Sequence, residues 1–255
     1  MHASLDQPYA CPDGIPLCFD LFRPDTEEAV PLVVCVHGGG WITGDKSDMR
    51  PEASWLVANG YAAACPSYRL APLHPYPAAV QDVHACVGHL RAEALRYGIL
   101  PERIAAWGIS AGGHLASMLG APPPGQPDAR APVQAVIDVC GLADLTRPRE
   151  QHHEVSFGFL DQFLGVSYEG HEALFVEASP VHAIRAGAPP FLIFHGEDDD
   201  VVAVEQSDAL SARLQALAVP VQYHRLPGER HALSDEAWTL ARGRILAFLS
   251  ETLHP

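Results

Sequence analysis

A chain of 255 residues, 48% of them hydrophobic and 18% charged, can bury a substantial core in one large domain and is not a disordered or fibrous chain. Its formal charge of −15 speaks against nucleic acid or an anionic membrane as partner, since neither favours an acidic surface. Met1 to Pro8 has no basic segment followed by an apolar one, no apolar run reaches membrane-spanning length, and the six cysteines show no zinc spacing, so a reducing, cytoplasmic compartment is expected.

Tyr9 to Phe22, broken by Asp13-Gly14, reads as an opening antiparallel hairpin. Cys11 and Cys18 flank its turn without facing each other, while Cys35, Cys65, Cys86 and Cys140 fall in apolar strands or on a helix, as buried thiols do. Pro31 to Val36 is a continuous apolar run, the mark of a strand covered on both faces. Ser47 to Asn59 has a helical pattern stopped by Gly60, and Tyr61 to Cys65 is the next strand. After a proline-rich loop, Ser67 to Tyr76, one long helix is predicted from Pro77 to Tyr97, ended by Gly98. Arg103 to Trp107 reads as a buried strand and Ala111 to Leu119 as a helix, ended by Ala121-Pro122-Pro123-Pro124-Gly125.

Val133–Val139, Phe191–Phe194 and Val221–Leu226 add strands, and Glu205 to Ala218 adds a helix. Ser234, followed by Asp235 and Glu236, caps a final helix to about Leu253. Residues 141–182 look polar and irregular, apart from the aromatics Phe157, Phe159, Phe163 and Tyr168. The pattern predicts an α/β fold: a single domain, 1–255, with a mostly parallel, doubly wound eight-stranded sheet, an opening hairpin, and 141–182 as an insert beside the site. In such sheets ligand chemistry sits at the carboxyl ends of the strands.

Gly108-Ile109-Ser110-Ala111-Gly112 fits G-x-S-x-G between a strand and a helix, the setting of a nucleophile elbow. A serine hydroxyl is a poor nucleophile near neutral pH and needs a base, a group to orient that base, and donors for the oxyanion. His37-Gly38-Gly39-Gly40-Trp41 follows the third strand; the amides of Gly39, Gly40 and Ala111 could form an oxyanion hole. Trp41 either lines the substrate pocket or packs against the loop. Glu197-Asp198-Asp199-Asp200, after the seventh strand, supplies an acid, with the choice among the four left open by the residues themselves. Of 14 histidines, His231 stands in the loop after the last strand, just before the capped helix, where a base belongs. His152, His153 and His171 read as surface residues, and His114 as a packed one.

The chain resembles the hormone-sensitive-lipase-like esterases of the α/β-hydrolase fold, and among them the bifunctional feruloyl and acetyl-xylan esterase-like group. The resemblance lies in His37 to Trp41, Ser67-Tyr68-Arg69-Leu70-Ala71-Pro72, Gly108 to His114, Ala178-Ser179-Pro180, Pro189 to Ile193 and Gln206-Ser207. It implies a serine carboxylesterase for short-chain acyl esters, with Ser110 as nucleophile, His231 as base and Asp199, the third residue after Gly196, as the acid. It implies no metal and no cofactor, and a small-molecule ester as partner; oligomeric state is left open. Two positions depart from the group's pattern: Asp200 replaces a proline and Arg230 a glycine. Lipase-like relatives carry an N-terminal helical cap; the 36 residues before His37 read as strands, so no such cap and a more open site are expected. The alternatives are an arylformamidase-like amidohydrolase, a serine exopeptidase lacking its usual propeller, and a non-catalytic ligand-binding protein on a hydrolase scaffold.

Overall fold

The computed structural model describes residues 1–123, 125–126, 129, 132–147 and 151–253. Among these, eight strands form one sheet: β1 (His2–Ala10), β2 (Leu17–Arg23), β3 (Val30–Val36), β4 (Ala62–Pro66), β5 (Ile99–Ile109), β6 (Ala135–Val139), β7 (Phe191–Gly196) and β8 (Val221–Leu226). Their order is β1-β2-β4-β3-β5-β6-β7-β8. β2 pairs antiparallel with β1 and with β4, and the remaining pairs are parallel. The α/β fold expected from the apolar pattern is therefore observed, with its opening hairpin.

β3 shows why a continuous apolar run makes a central strand. Leu32, Val34 and Val36 join the core on one face, and Val33 and Cys35 join the core on the other. The first core is closed by α2 (Ala78–Ala92), α3 (Ala94–Tyr97) and α4 (Ala111–Leu119). The second is closed by α1 (Arg50–Ala58) and α9 (Asp235–Leu253). α9 starts at Ser234, whose hydroxyl accepts from the Ala237 N–H at 3.2 Å. The loop before it is held by Glu229, which accepts from both the backbone N–H and the hydroxyl of Ser234 at 2.7 Å.

Two expectations need correction. The long helix from Pro77 to Tyr97 is two helices, α2 and α3, separated at Glu93, where φ −98° and ψ 19° leave the helical range. Apolar spacing could not reveal the break, because Leu90, Ala94 and Tyr97 are buried on both sides of it. Gly98, at φ 59°, ends α3 in the left-handed conformation that glycine adopts without strain. The segment 141–182 is not irregular: it holds α5 (Glu154–Leu164), α6 (Glu172–Glu177) and α7 (Pro180–Ala183). In α5 the buried Leu160, Phe163 and Leu164 recur at helical spacing within a polar stretch. α8 (Glu205–Ala216) lies between β7 and β8. Of the proline stretch after α4, Pro124 lies outside the described residues.

All six cysteines are free. Among the described residues, no helix is long and apolar enough to cross a membrane.

Candidate active site

Because β3, β5, β7 and β8 run parallel, the segments that follow them open on one edge of the sheet. His37 to Trp41 follows β3, Ser110 follows β5, the acidic run follows β7, and His231 follows β8.

The elbow is tight for a steric reason. A Cβ on Gly108 would lie 1.9 Å from the carbonyl oxygen of Gly112, and one on Gly112 would lie 2.1 Å from that of Val36. Only hydrogen fits at either place, and this lets the first turn of α4 press against β5 and β3. Ser110 pays for that closeness with φ 59° and ψ −122°, a conformation that strains a non-glycine residue by about 1–3 kcal/mol. Its backbone is pinned from two sides: its N–H donates to Val139 O at 2.8 Å, and its carbonyl accepts from the His114 N–H at 3.0 Å.

His231 is separated from Ser110 by 121 positions, yet its Nε2 lies 3.0 Å from the Ser110 Oγ. Its Nδ1 lies 2.7 Å from Asp199 Oδ2. A ring nitrogen facing a carboxylate carries the proton, so Nε2 is left to accept the serine hydroxyl.

Burial separates the four acids. Asp199 is buried, while Glu197, Asp198 and Asp200 are exposed. Asp199 Oδ1 accepts from the N–H groups of Val201 and Val202, each at 2.8 Å. Burial alone would push the Asp199 carboxyl up, but hydrogen bonds from His195, His231 and Val202 outweigh it and hold the group well below the usual carboxylate range.

No sequence pattern assigns a role to His195 or Ser207. His195 is fully buried at the end of β7. Its Nε2 lies 2.9 Å from Val202 O and 3.1 Å from Asp199 Oδ2, and its Nδ1 lies 2.7 Å from Ser207 Oγ. The neighbouring Gln206 accepts at Oε1 from the N–H groups of Ala143 (2.9 Å) and Asp144 (2.7 Å). The first turn of α8 thus fastens the segments after β6 and β7. The available signal was a histidine ending the apolar run of β7, together with the Gln206-Ser207 pair. Potential ligand atoms of Cys140, His195 and Asp199 come within 4.8 Å of one another. In this group the His195 Nε2–H donates to Val202 O at 2.9 Å, with Asp199 Oδ2 3.1 Å from the same nitrogen.

In the glycine turn, His37 is structural. Its ring stacks on Tyr68 at 4.2 Å, and its Nδ1–H donates to Gly38 O at 2.9 Å. Among the described residues, the N–H groups of Gly39, Gly40 and Ala111 have no hydrogen-bond acceptor. Gly40 has φ 60°, and a Cβ there would meet the Phe159 ring at 2.7 Å. Trp41 is packed: its ring stacks on Phe163 at 4.1 Å, and Nε1–H donates to His114 Nδ1 at 3.2 Å. His114 in turn donates from Nε2 to Ala178 O at 2.8 Å, and burial pulls its pKa down to about 4, so it is a neutral packing group near neutral pH.

A small pocket of about 10 Å³ opens at Ser110, lined by Gly40, Trp41, Leu142, Phe159 and Val202 among others. That is room for about one water-sized group. Its roof is α5, through Phe159 and through Ser156, whose hydroxyl donates to Val201 O. Residues 1–36 form strands and one short turn, and Ser110 stays partly exposed beside α5. A larger cavity of about 820 Å³, lined by residues of α5 and α6 such as Leu160 and Phe175, does not include Ser110 in its lining.

A sheet of this topology, with a serine on a strand–helix elbow after β5 and an aspartate and a histidine after β7 and β8, defines an α/β-hydrolase. Within that class the BD-FAE profile matches residues 19–214, and the chain belongs to the BD-FAE family. It is 36% identical over 254 residues to Esterase LipQ of Mycobacterium tuberculosis, covering 95% of this chain and 59% of LipQ. It is 30% identical over 253 residues to Carboxylesterase NlhH of the same organism, covering 91% and 76%. The chain thus spans little more than half the length of several relatives it matches. Among solved structures, Thermogutta terrifontis esterase 2 phosphonylated by sarin superposes with a TM-score of 0.83 at 25% identity, covering 99% of this chain and 96% of that one.

Proposed function

We propose that this protein is a serine carboxylesterase acting on short-chain acyl esters of small molecules. The observation that carries the reading is the continuous hydrogen-bonded series from Ser110 Oγ through His231 to Asp199. Ser110 attacks the ester carbonyl while its proton passes to His231 Nε2. The developing oxyanion meets the N–H groups of Gly39, Gly40 and Ala111, which have no acceptor among the described residues. Collapse expels the alcohol, which takes the proton back from His231. Water, deprotonated by the same nitrogen, then releases the acid from the acyl-enzyme. Asp199 keeps the proton on Nδ1 and stabilises the imidazolium that forms at each step. The esterase names of LipQ and NlhH support the chemistry. The pocket of about 10 Å³ at Ser110 supports a short acyl group.

The test is Ser110→Ala, assayed on p-nitrophenyl acetate beside fluorophosphonate labelling of the unaltered protein. Loss of nearly all turnover with the fold retained, and labelling at Ser110, are expected. Unchanged hydrolysis by the variant would overturn the reading.

A further inference from the structure

We propose, resting on Asp199 as the acid of the Ser110–His231 pair, that His195 sets how much negative charge Asp199 offers to His231. The two histidines share one carboxylate oxygen: Oδ2 lies 2.7 Å from His231 Nδ1 and 3.1 Å from His195 Nε2. The other oxygen, Oδ1, already accepts two backbone N–H groups at 2.8 Å, from Val201 and Val202. Those amides fix the plane of the carboxylate without help from His195. What His195 adds is an N–H that donates to Val202 O and stands 3.1 Å from the oxygen that faces the base, where its partial positive charge is felt.

The proton on His195 is placed by its surroundings. Two acceptors, Val202 O at 2.9 Å and Asp199 Oδ2 at 3.1 Å, face Nε2, so that nitrogen carries a hydrogen. In the neutral ring, Ser207 donates its hydroxyl to Nδ1 across 2.7 Å and keeps the tautomer from switching. Around this pair, β6 contributes Asp138, the position just after β6 contributes Cys140, α8 contributes Ser207, and the loop after β8 contributes His231. His195 and Asp199 have fully buried side chains, so water does not dilute the effect.

Withdrawing the His195 N–H leaves Oδ2 to His231 alone. The Asp199–His231 hydrogen bond then favours the imidazolium more strongly, and the base holds its proton to higher pH. The acidic limb of kcat/KM against pH therefore moves up when the donor is lost. A role in packing alone would lower stability without moving that limb.

Two substitutions separate the ring's two contacts. An asparagine amide takes the place of Nδ1, and a glutamine amide the place of Nε2. His195→Asn keeps a partner for Ser207 but removes the N–H beside Asp199; His195→Gln keeps that N–H. Both are made in the full chain, with folding followed by circular dichroism and urea unfolding, and kcat and KM measured on p-nitrophenyl acetate from pH 5 to pH 9. His195→Asn is expected to move the acidic limb up by about half a unit to one unit, with KM within about twofold, and His195→Gln to leave it in place. An unmoved limb in His195→Asn, or one moved down, overturns the proposal. Should that variant fail to fold, His195→Gln carries the test: an unmoved limb supports the proposal, and a shift of about half a unit or more overturns it. Asp199→Asn is run in parallel. If it keeps full activity, the acid is misassigned and both readings fall. If it is inactive while the His195 limb does not move, only the role of His195 falls.

Discussion

Arg230 donates from Nη2 to Asp200 Oδ2, joining the two residues by which this chain departs from the pattern of the esterases it resembles. Asp200 follows Asp199 and Arg230 precedes His231, so the ion pair straps the loop after β7 to the loop after β8 beside the candidate site. Both side chains are well exposed, 68% for Arg230 and 50% for Asp200, and water and salt screen such a pair.

A double-mutant cycle with Arg230→Gly and Asp200→Asn, followed by urea unfolding, should give a coupling of about 0.2–1 kcal/mol that shrinks in high salt. Turnover of each variant should stay within about tenfold of the parent. A coupling above about 2 kcal/mol, insensitive to salt, would mean that the strap is shielded from solvent and structurally central.

Asp199→Asn should lower kcat by a factor on the order of 10²–10⁴, because asparagine keeps the shape but can stabilise the wrong imidazole tautomer. Asp198→Asn and Asp200→Asn should remain within about tenfold, since both side chains are exposed and neither meets His231. Three single variants on one ester, with circular dichroism for folding, check this. An inactive Asp198→Asn would place the acid one residue earlier in the run.

Phe159 roofs the pocket at Ser110, against Gly40. Wild type should prefer acetate to butyrate over longer acyl chains. Phe159→Ala should raise kcat/KM for hexanoate relative to acetate by about tenfold or more, as each newly buried methylene adds roughly 0.8 kcal/mol. A series of p-nitrophenyl esters from two to eight carbons tests it. An unchanged ratio would show that another wall limits the chain.

Asp138 is buried between Ser117 of α4, whose hydroxyl donates to it at 2.6 Å, and the Gly141 N–H at 2.9 Å. Burial raises its pKa from 3.8 to about 6, against the lowering effect of Ser117, His195 and Gly141. A carboxyl raised on folding contributes stability that is complete below its ordinary value and is lost as pH rises through about 6. Asn at this position mimics the protonated acid and does not titrate. The unfolding free energy of Asp138→Asn relative to wild type should therefore rise by about 1–2 kcal/mol between pH 5 and pH 8. A flat difference across that range would mean the buried group does not titrate there.

The order of strands and helices was legible because it depends on neighbours in sequence. Leu32 to Val36 alternate between two cores, and glycine at 108 and 112 leaves the only space through which α4 can meet β5 and β3. Ser110 stood out for the same local reason, and His231 by its place after the last strand, whereas Asp199 was singled out from its acidic neighbours only by the family resemblance.

What those local patterns could not decide depends on how distant loops meet. The acidic run offers four carboxylates of one chemistry; only the path of the loop after β7 buries Asp199 and turns its neighbours to solvent. The break at Glu93 was hidden because buried apolar residues continue across it. α5 lay hidden in a polar stretch, and its roof over Ser110 depends on Phe159 meeting Gly40, 119 positions away by their numbering. His195 on Asp199 and Arg230 on Asp200 are likewise contacts between side chains whose identities carry no periodic signal. Spacing along the chain sets which face a residue presents; sheet order and loop path set what that face meets, and these are decided by the packing of the whole fold.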